Sequence, residues 1–151
     1  MGIEEDIKQS AFQSASQKAV VNVIYTAGWL NARSNKLLKP FDLSIQQYNI
    51  LRILRGQKGK PISVNSLIDR MLDKNSNASR LVEKLRAKGY VERRTCEYDR
   101  RQVDVVISDQ GLNFLADIDK DFDTLNGSAN SLSEQDFLQL SDLLDRLRDE
   151  A

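Results

Sequence analysis

Between residues 78 and 107 the repeat of apolar side chains changes period, and few folds accommodate that change. Ala78, Leu81, Val82 and Leu85 recur at i, i+3, i+4 and i+7, the stripe of a half-buried helix, and Gly89 stands where a left-handed cap would end it. Val91, Arg93 and Thr95, and then Val103, Val105 and Ile107, recur at every second residue, as in strands, with Cys96 to Arg101 joining the two runs. A helix that leads within a few residues into a two-stranded hairpin restricts the choice of architecture far more than length or composition does.

The flanking sequence returns to the helical period on both sides. Val20, Val23, Ala27, Leu30, Ser34 and Leu37 fit one long helix from about Ile3 to Leu38, which Pro40 stops. Ser44-Ile45-Gln46-Gln47 is a capping-box pattern that opens a second helix, with Tyr48, Leu51 and Leu54 on one face and an end near Gly56. A short third helix is expected from Val64 to Leu72, burying Leu67, Ile68 and Met71, and a fourth from Asn75 or Ser76 to about residue 88. After Ser108, Leu112, Leu115, Asp119, Phe122 and Leu125 follow one helical face until Asn126-Gly127-Ser128 breaks it. Ser133 then caps a last helix with Phe137, Leu140, Leu144 and Leu147 on one stripe. The order predicts a mainly α protein with a small β-hairpin wing, in one domain of 151 residues: a winged helix-turn-helix lobe at 41–107, and dimerisation helices at 1–38 and 109–151.

Net charge is zero, yet it is unevenly distributed. Residues 30–101 hold 17 Lys and Arg against 7 Asp and Glu, whereas residues 102–151 hold 3 against 12. The helix-hairpin centre is therefore the part suited to a polyanion. Histidine is absent, which removes Ser-His-Asp and Cys-His catalysis, and no metal motif or glycine-rich phosphate loop accompanies the carboxylates. An enzyme, a cofactor and a metal site are not expected. Cys96 is the single cysteine, which fits a reducing cytoplasm. The longest apolar stretch, roughly Ala19 to Leu30, is too short to span a membrane, and the acidic start Met1-Gly2-Ile3-Glu4-Glu5-Asp6 does not read as an export signal.

Three helices followed by a hairpin match a helix-turn-helix with an attached wing, whose second motif helix enters the major groove of duplex DNA. With Leu81, Val82 and Leu85 turned inward, a helix over 76–88 places Ser76, Arg80 and Glu83 on its outer face, flanked by Asn77 and Lys84. Arginine takes guanine O6 and N7 as a bidentate pair, and Asn or Ser reaches other base edges or phosphates. The same residues also suit a capped, solvated helix surface. In the wing, Glu97-Tyr98-Asp99-Arg100-Arg101 concentrates two guanidinium groups on a tip narrow enough for the minor groove, with Asp99 placed to pin Arg101 and fix the turn. A charged tip that keeps the hairpin soluble is the other reading.

Ser79-Arg80-Leu81-Val82-Glu83-Lys84-Leu85 through Lys88-Gly89-Tyr90-Val91-Glu92-Arg93, with Asp99-Arg100-Arg101 and Ile107-Ser108-Asp109-Gln110-Gly111, resembles the MarR/SlyA family of winged helix-turn-helix regulators over nearly the whole chain. The resemblance implies Arg80 in the major groove, Arg101 in the minor groove and Asp99 orienting the wing, with the outer helices forming a homodimer. The candidate interface is thus Ser76, Asn77, Ser79, Arg80 and Lys84 from the helix, and Asp99, Arg100 and Arg101 from the wing. Lys74, Arg93 and Arg94 are candidate phosphate contacts. It also implies a repressor released by a small aromatic or phenolic effector between the dimer helices and the DNA-binding lobe, for which Tyr25, Trp29 and Tyr48 are candidates. The Asn75-Ser76-Asn77-Ala78 start departs from many members, so sequence preference does not transfer.

Two alternatives stand beside that reading. Cys96 lies near Arg93, Arg94 and the wing arginines, where positive charge favours thiol oxidation, although a single small residue at a strand end is more often structural. A winged helix with acidic flanking helices also suits a protein adaptor that never touches DNA.

Overall fold

The computed structural model describes residues 2–128 and 131–149, without the side chains of residues 123–128. Two compact units divide the chain, Met1–Ala116 and Asp117–Ala151.

In the first unit the expected single amino-terminal helix is two. A short α1 spans Ile3–Asp6 and α2 spans Ala15–Leu38. Lys8 sits at φ 55°, a left-handed conformation that ends the first turn. Ser14 restarts the helix by accepting the Gln17 N–H. Pro40 lies in a 3₁₀ turn, Lys39–Phe41, which follows directly on the end of α2 at the expected Leu38. Helix α3, Ile45–Gly56, has the anticipated capping box: Ser44 Oγ accepts the Gln47 N–H at 3.1 Å, and Gln47 Oε1 accepts the Ser44 N–H at 3.0 Å. Its apolar face supplies Ile50, Leu51 and Leu54 to the core, joined by Leu38, Leu67, Val82, Leu85, Val91 and Val105.

Helix α4 spans Val64–Arg70 and stops short of the expected Leu72, which is exposed, while Met71 and Leu67 are buried and Ile68 is half-buried. Helix α5 spans Ala78–Ala87, two or three residues later than its expected start, because Asn77 acts as its cap. Strands β2 (Val91–Thr95) and β3 (Val103–Ile107) pair antiparallel in the register Val91↔Ile107 to Thr95↔Val103.

A third strand, β1 (Ile62–Ser63), pairs with β3 on its other edge, giving the order β1-β3-β2. Two residues are too few to show a period, so the sequence carries no sign of it. Being central, β3 buries Val105, Val106 and Ile107 in succession rather than alternately. The far end of β2, from Glu92 to Thr95, is exposed, so the hairpin projects from the body.

Ser108 ties the hairpin to the helix beyond it. Its hydroxyl donates to the Gly89 carbonyl at 2.6 Å and accepts the Gly111 N–H at 3.0 Å. Tyr90 stacks on Phe114 at 4.2 Å between centroids, and Phe41 meets Phe114 edge-on. Helix α6, Asp109–Ser128, begins here and crosses into the second unit. It runs through Asn126 and Gly127, where a break was expected: these residues have weak helix propensity yet do not end it. Among the described residues, Leu115 and Ile118 are its buried apolar side chains; the side chain of Leu125 lies outside the described residues. Helix α7, Glu134–Arg148, opens with a capping box between Ser133 and Asp136 and has no buried residue.

Candidate nucleic-acid interface

Helix α5 and the hairpin are the parts that the sequence marks as functional. Asn77 Oδ1 accepts the Arg80 N–H at 3.2 Å, so Asn77 spends its side-chain oxygen on the helix start. Ser76 precedes the cap and is not on the helical face that a start at 76 would assign it; its Oγ is buried with no hydrogen-bond partner. The turn before it is built by Asp73, whose carboxylate accepts the Asn75 N–H at 3.0 Å.

Within α5, Ala78, Val82 and Leu85 are buried, Leu81 is half-buried, and Ser79, Arg80 and Lys84 are exposed. Arg80 and Lys84 are one turn apart on the outer side. Neither guanidinium nor ammonium has a carboxylate partner among the described residues. Glu83, expected to face outward, is instead held by two arginines: Arg86 Nε donates to its Oε1 at 3.1 Å, and Arg93 Nη2 lies 2.8 Å from its Oε2. The Arg86 hydrogen bond, aided by the charges of Arg86 and Arg93, lowers the Glu83 carboxyl below its ordinary value.

At the wing tip, the Asp99 carboxylate accepts the backbone N–H of Arg101 at 2.9 Å, and the Gln102 N–H donates to the Asp99 carbonyl at 3.0 Å. Asp99 therefore fixes the turn through the backbone, without gripping the Arg101 guanidinium as anticipated. Among the described residues, Arg100 and Arg101 have no carboxylate partner, and Tyr98 beside them is almost fully exposed. Cys96 is half-buried where β2 ends, its N–H donating to the Gln102 carbonyl.

The three candidate phosphate contacts are not equally available. Lys74 Nζ donates to the Asp69 carbonyl, Arg93 is paired with Glu83, and Arg94 lies 3.7 Å from Glu92 on the exposed strand. The aromatic candidates separate too. Tyr25 and Trp29 line a cleft of about 350 Å³ with Gly2, Ile3, Asp6, Asn22 and Thr26, and the Arg33 guanidinium lies over the Trp29 ring at 5.4 Å. Tyr48 is not in that lining; it is buried in α3 with Arg52 over its ring at 5.7 Å. A second cleft, of about 450 Å³, is lined largely by side-chain amides, those of Asn31, Asn35, Gln46 and Asn49, with Ile45, Leu72 and Asp73. Asn31 and Asn35 lie one turn apart on α2, and Gln46 and Asn49 one turn apart on α3, and the cleft brings the two pairs together.

Helices α4 and α5 followed by the β2-β3 hairpin, with β1 closing the sheet, define a winged helix-turn-helix protein. Residues 41–102 match the family model of the MarR family. The transcriptional repressor MprA of Escherichia coli (strain K12) is 27% identical over 84 residues, 56% of this chain and 48% of its own, so the chain spans about half the length of the curated relatives it matches. Among solved structures, a MarR transcription factor from Planctomyces limnophilus is 28% identical, with a TM-score of 0.67 over 91% of this chain and 95% of that one. Bordetella bronchiseptica BpsR, whose DNA binding is regulated by 6-hydroxynicotinic acid, has a TM-score of 0.79 at 16% identity, covering 93% of this chain and all of that one. The MepR of a S. aureus MepR–DNA complex has a TM-score of 0.75 at 16% identity, covering 89% and 96%. Over residues 41–102 the chain is thus similar to the MarR family, and the curated relatives it matches are named as regulators of transcription. No helix among the described residues is long and apolar enough to cross a membrane.

Proposed function

We propose that this protein is a cytoplasmic, sequence-specific regulator of transcription that binds duplex DNA as a homodimer and represses from a pseudo-palindromic operator. The observation that carries the reading is the disposition of cations. Arg80 and Lys84 on the outer face of α5, and Arg100 and Arg101 at the wing tip, have no carboxylate partner among the described residues, while other arginines nearby are paired. Unpaired guanidinium groups on a protruding helix and hairpin are suited to base edges and a narrow groove. Ser79 adds a hydroxyl on the same helix, and Asn77 contributes through the helix start it caps. Lys74 and Arg94 add phosphate contacts, and Ser76 lies at the margin.

The homodimer is supported by apolar surface left on both terminal helices, each considered alone. Val20, Ile24, Trp29 and Leu30 of α2, and Phe137, Leu140, Leu143 and Leu147 of α7, are all more than 40% exposed. Two copies would set the reading helices about one DNA turn, roughly 34 Å, apart. The residue ranges 1–38 and 109–151 serve as the dimer base and 41–107 as the DNA-binding lobe. Repression is the activity named for MprA. The cleft bearing Tyr25 and Trp29 offers the aromatic walls that a small phenolic effector would need, in line with the ligand named for BpsR.

Selection of fragments from a genomic library, followed by a mobility shift at moderate salt, tests the reading. Enrichment of a two-fold-symmetric sequence is the expected result. Complete indifference to DNA would instead favour a protein adaptor.

A further inference from the structure

Glu83 is the only acidic residue of α5, and it lies between Arg80 and Lys84 on a helix proposed to face a polyanion. A carboxylate there opposes phosphate unless it serves another purpose. Its two oxygens have separate partners. Oε1 takes the Arg86 guanidinium of its own helix; Oε2, shielded from solvent, lies 2.8 Å from Arg93 Nη2 without an aligned hydrogen bond. Arg93 is the middle residue of β2 and pairs with Val105 of the central strand. The bridge therefore spans from mid-helix to mid-wing, away from the Gly89-Tyr90 turn where the two elements are joined by the chain. Arg86 fixes the carboxylate on the helix side, and its hydrogen bond holds the Glu83 carboxyl below its ordinary value.

We propose that Glu83 is a positioning residue which, through Arg93, fixes the wing relative to α5 so that Arg80 and Arg101 engage one duplex together. The inference rests on the DNA-binding reading. It changes the part assigned to Arg93, which orients the wing instead of neutralising a phosphate. Preorganising two contact elements lowers the cost of ordering them on binding, and that gain goes to the specific complex, where both must fit.

The test uses the full chain, the duplex it enriches most from a random-sequence pool, and a scrambled duplex of equal length. Glu83→Gln, close to isosteric, is expected to lower the ratio of specific to scrambled affinity by roughly tenfold, from the lost preorganisation. Arg93→Gln should lower it comparably, and the double variant no further, because both act through one bridge. Arg93→Gln should also leave the slope of log affinity against log salt unchanged. A phosphate contact would instead reduce that slope by about 0.9. Tightening of both duplexes alike by Glu83→Gln would show simple repulsion and overturn the proposal, as would a lowered melting temperature with an unaltered ratio. Absence of any enriched sequence would overturn the DNA-binding reading and the bridge with it; enrichment with a ratio insensitive to Glu83 would overturn the bridge alone.

Discussion

The carboxylate of Asp99 accepts the backbone N–H of Arg101 at 2.9 Å, so the wing tip is shaped by a side chain whose charge is spent on the main chain. Such an Asx turn stabilises a hairpin end whose other backbone bonds run from Gln102 to Asp99 and from Cys96 to Gln102. Asp99→Ala removes the acceptor and also a negative charge next to Arg100 and Arg101. Scrambled DNA should then bind as well as before or better, while the selected operator loses affinity by about 1 kcal/mol, the worth of one hydrogen bond. Paired mobility shifts on the two duplexes measure both, and equal gains on both would mean that the turn geometry is immaterial.

Arg80 and Arg101 should differ in what they recognise. Arg80→Ala is expected to cost about 1 to 3 kcal/mol on the selected operator and to relax preference at one base position, as loss of a bidentate contact does. Arg101→Ala should weaken operators whose flanks are A-tracts more than those whose flanks are not, because a narrow minor groove concentrates negative potential. Repeating the selection with each variant separates the two; identical enriched sequences for wild type and Arg80→Ala would remove α5 from base readout.

The elements that were legible in the sequence are those with long periodic stripes or distinctive caps. Helix α3 follows from Ser44 and Gln47, α7 from Ser133, and the hairpin from the switch to alternation at Val91. What was not legible depends on single residues that override a pattern. Lys8 in a left-handed conformation splits the amino-terminal helix, and Asn77 delays α5 and removes Ser76 from its face. Charge pairing is equally hidden: spacing places Glu83 outward, but only the approach of β2 shows that Arg93 meets it. Arg80 and Lys84 were legible because exposure opposite a known stripe follows from the period, and Arg100 and Arg101 because they fall between the two alternating runs, at the tip of the hairpin.

Gly111 is expected to be intolerant of any side chain. A Cβ there would lie 2.2 Å from the Tyr90 carbonyl oxygen and 2.8 Å from Ile107 Cγ1, at the junction where α5, the hairpin and α6 meet. Backbone cannot yield as a flexible side chain would, so Gly111→Ala should destabilise by about 1 to 3 kcal/mol, as overpacking does. Urea denaturation gives the value, with Gly28→Ala, which meets nothing within 4 Å, as the comparison. Equal midpoints for the two would contradict the close approach.

The start of α7 should respond to acid. A hydrogen bond from Ser133 Oγ, with the Ser133 backbone N–H, holds the Asp136 carboxyl below its ordinary value of 3.8. A carboxyl lowered in the fold contributes stability that is present above the ordinary value and lost as pH falls through the folded one. Helical ellipticity of the full chain should therefore fall below about pH 4, and Ser133→Ala should shrink that pH-dependent part by removing the largest cause of the shift. An unchanged acid profile in the variant would show that the capping box contributes nothing to it.

The exposed apolar faces give the prediction on assembly. Trp29 and Leu30 of α2 are about half exposed, and Leu140 and Leu147 of α7 are comparably so, more apolar surface than isolated helices of a monomer ordinarily leave in water. If a second copy covers them, the wild-type chain should sediment as a dimer, and Leu30→Glu or Leu147→Glu should shift it to monomer, since a carboxylate in an apolar contact must be desolvated without a partner. Loss of the dimer should lower operator affinity far more than affinity for a single half-site, because the second half-site is then no longer held nearby. A wild type that sediments as a monomer while still selecting a symmetric operator would place assembly on the DNA instead of in these helices.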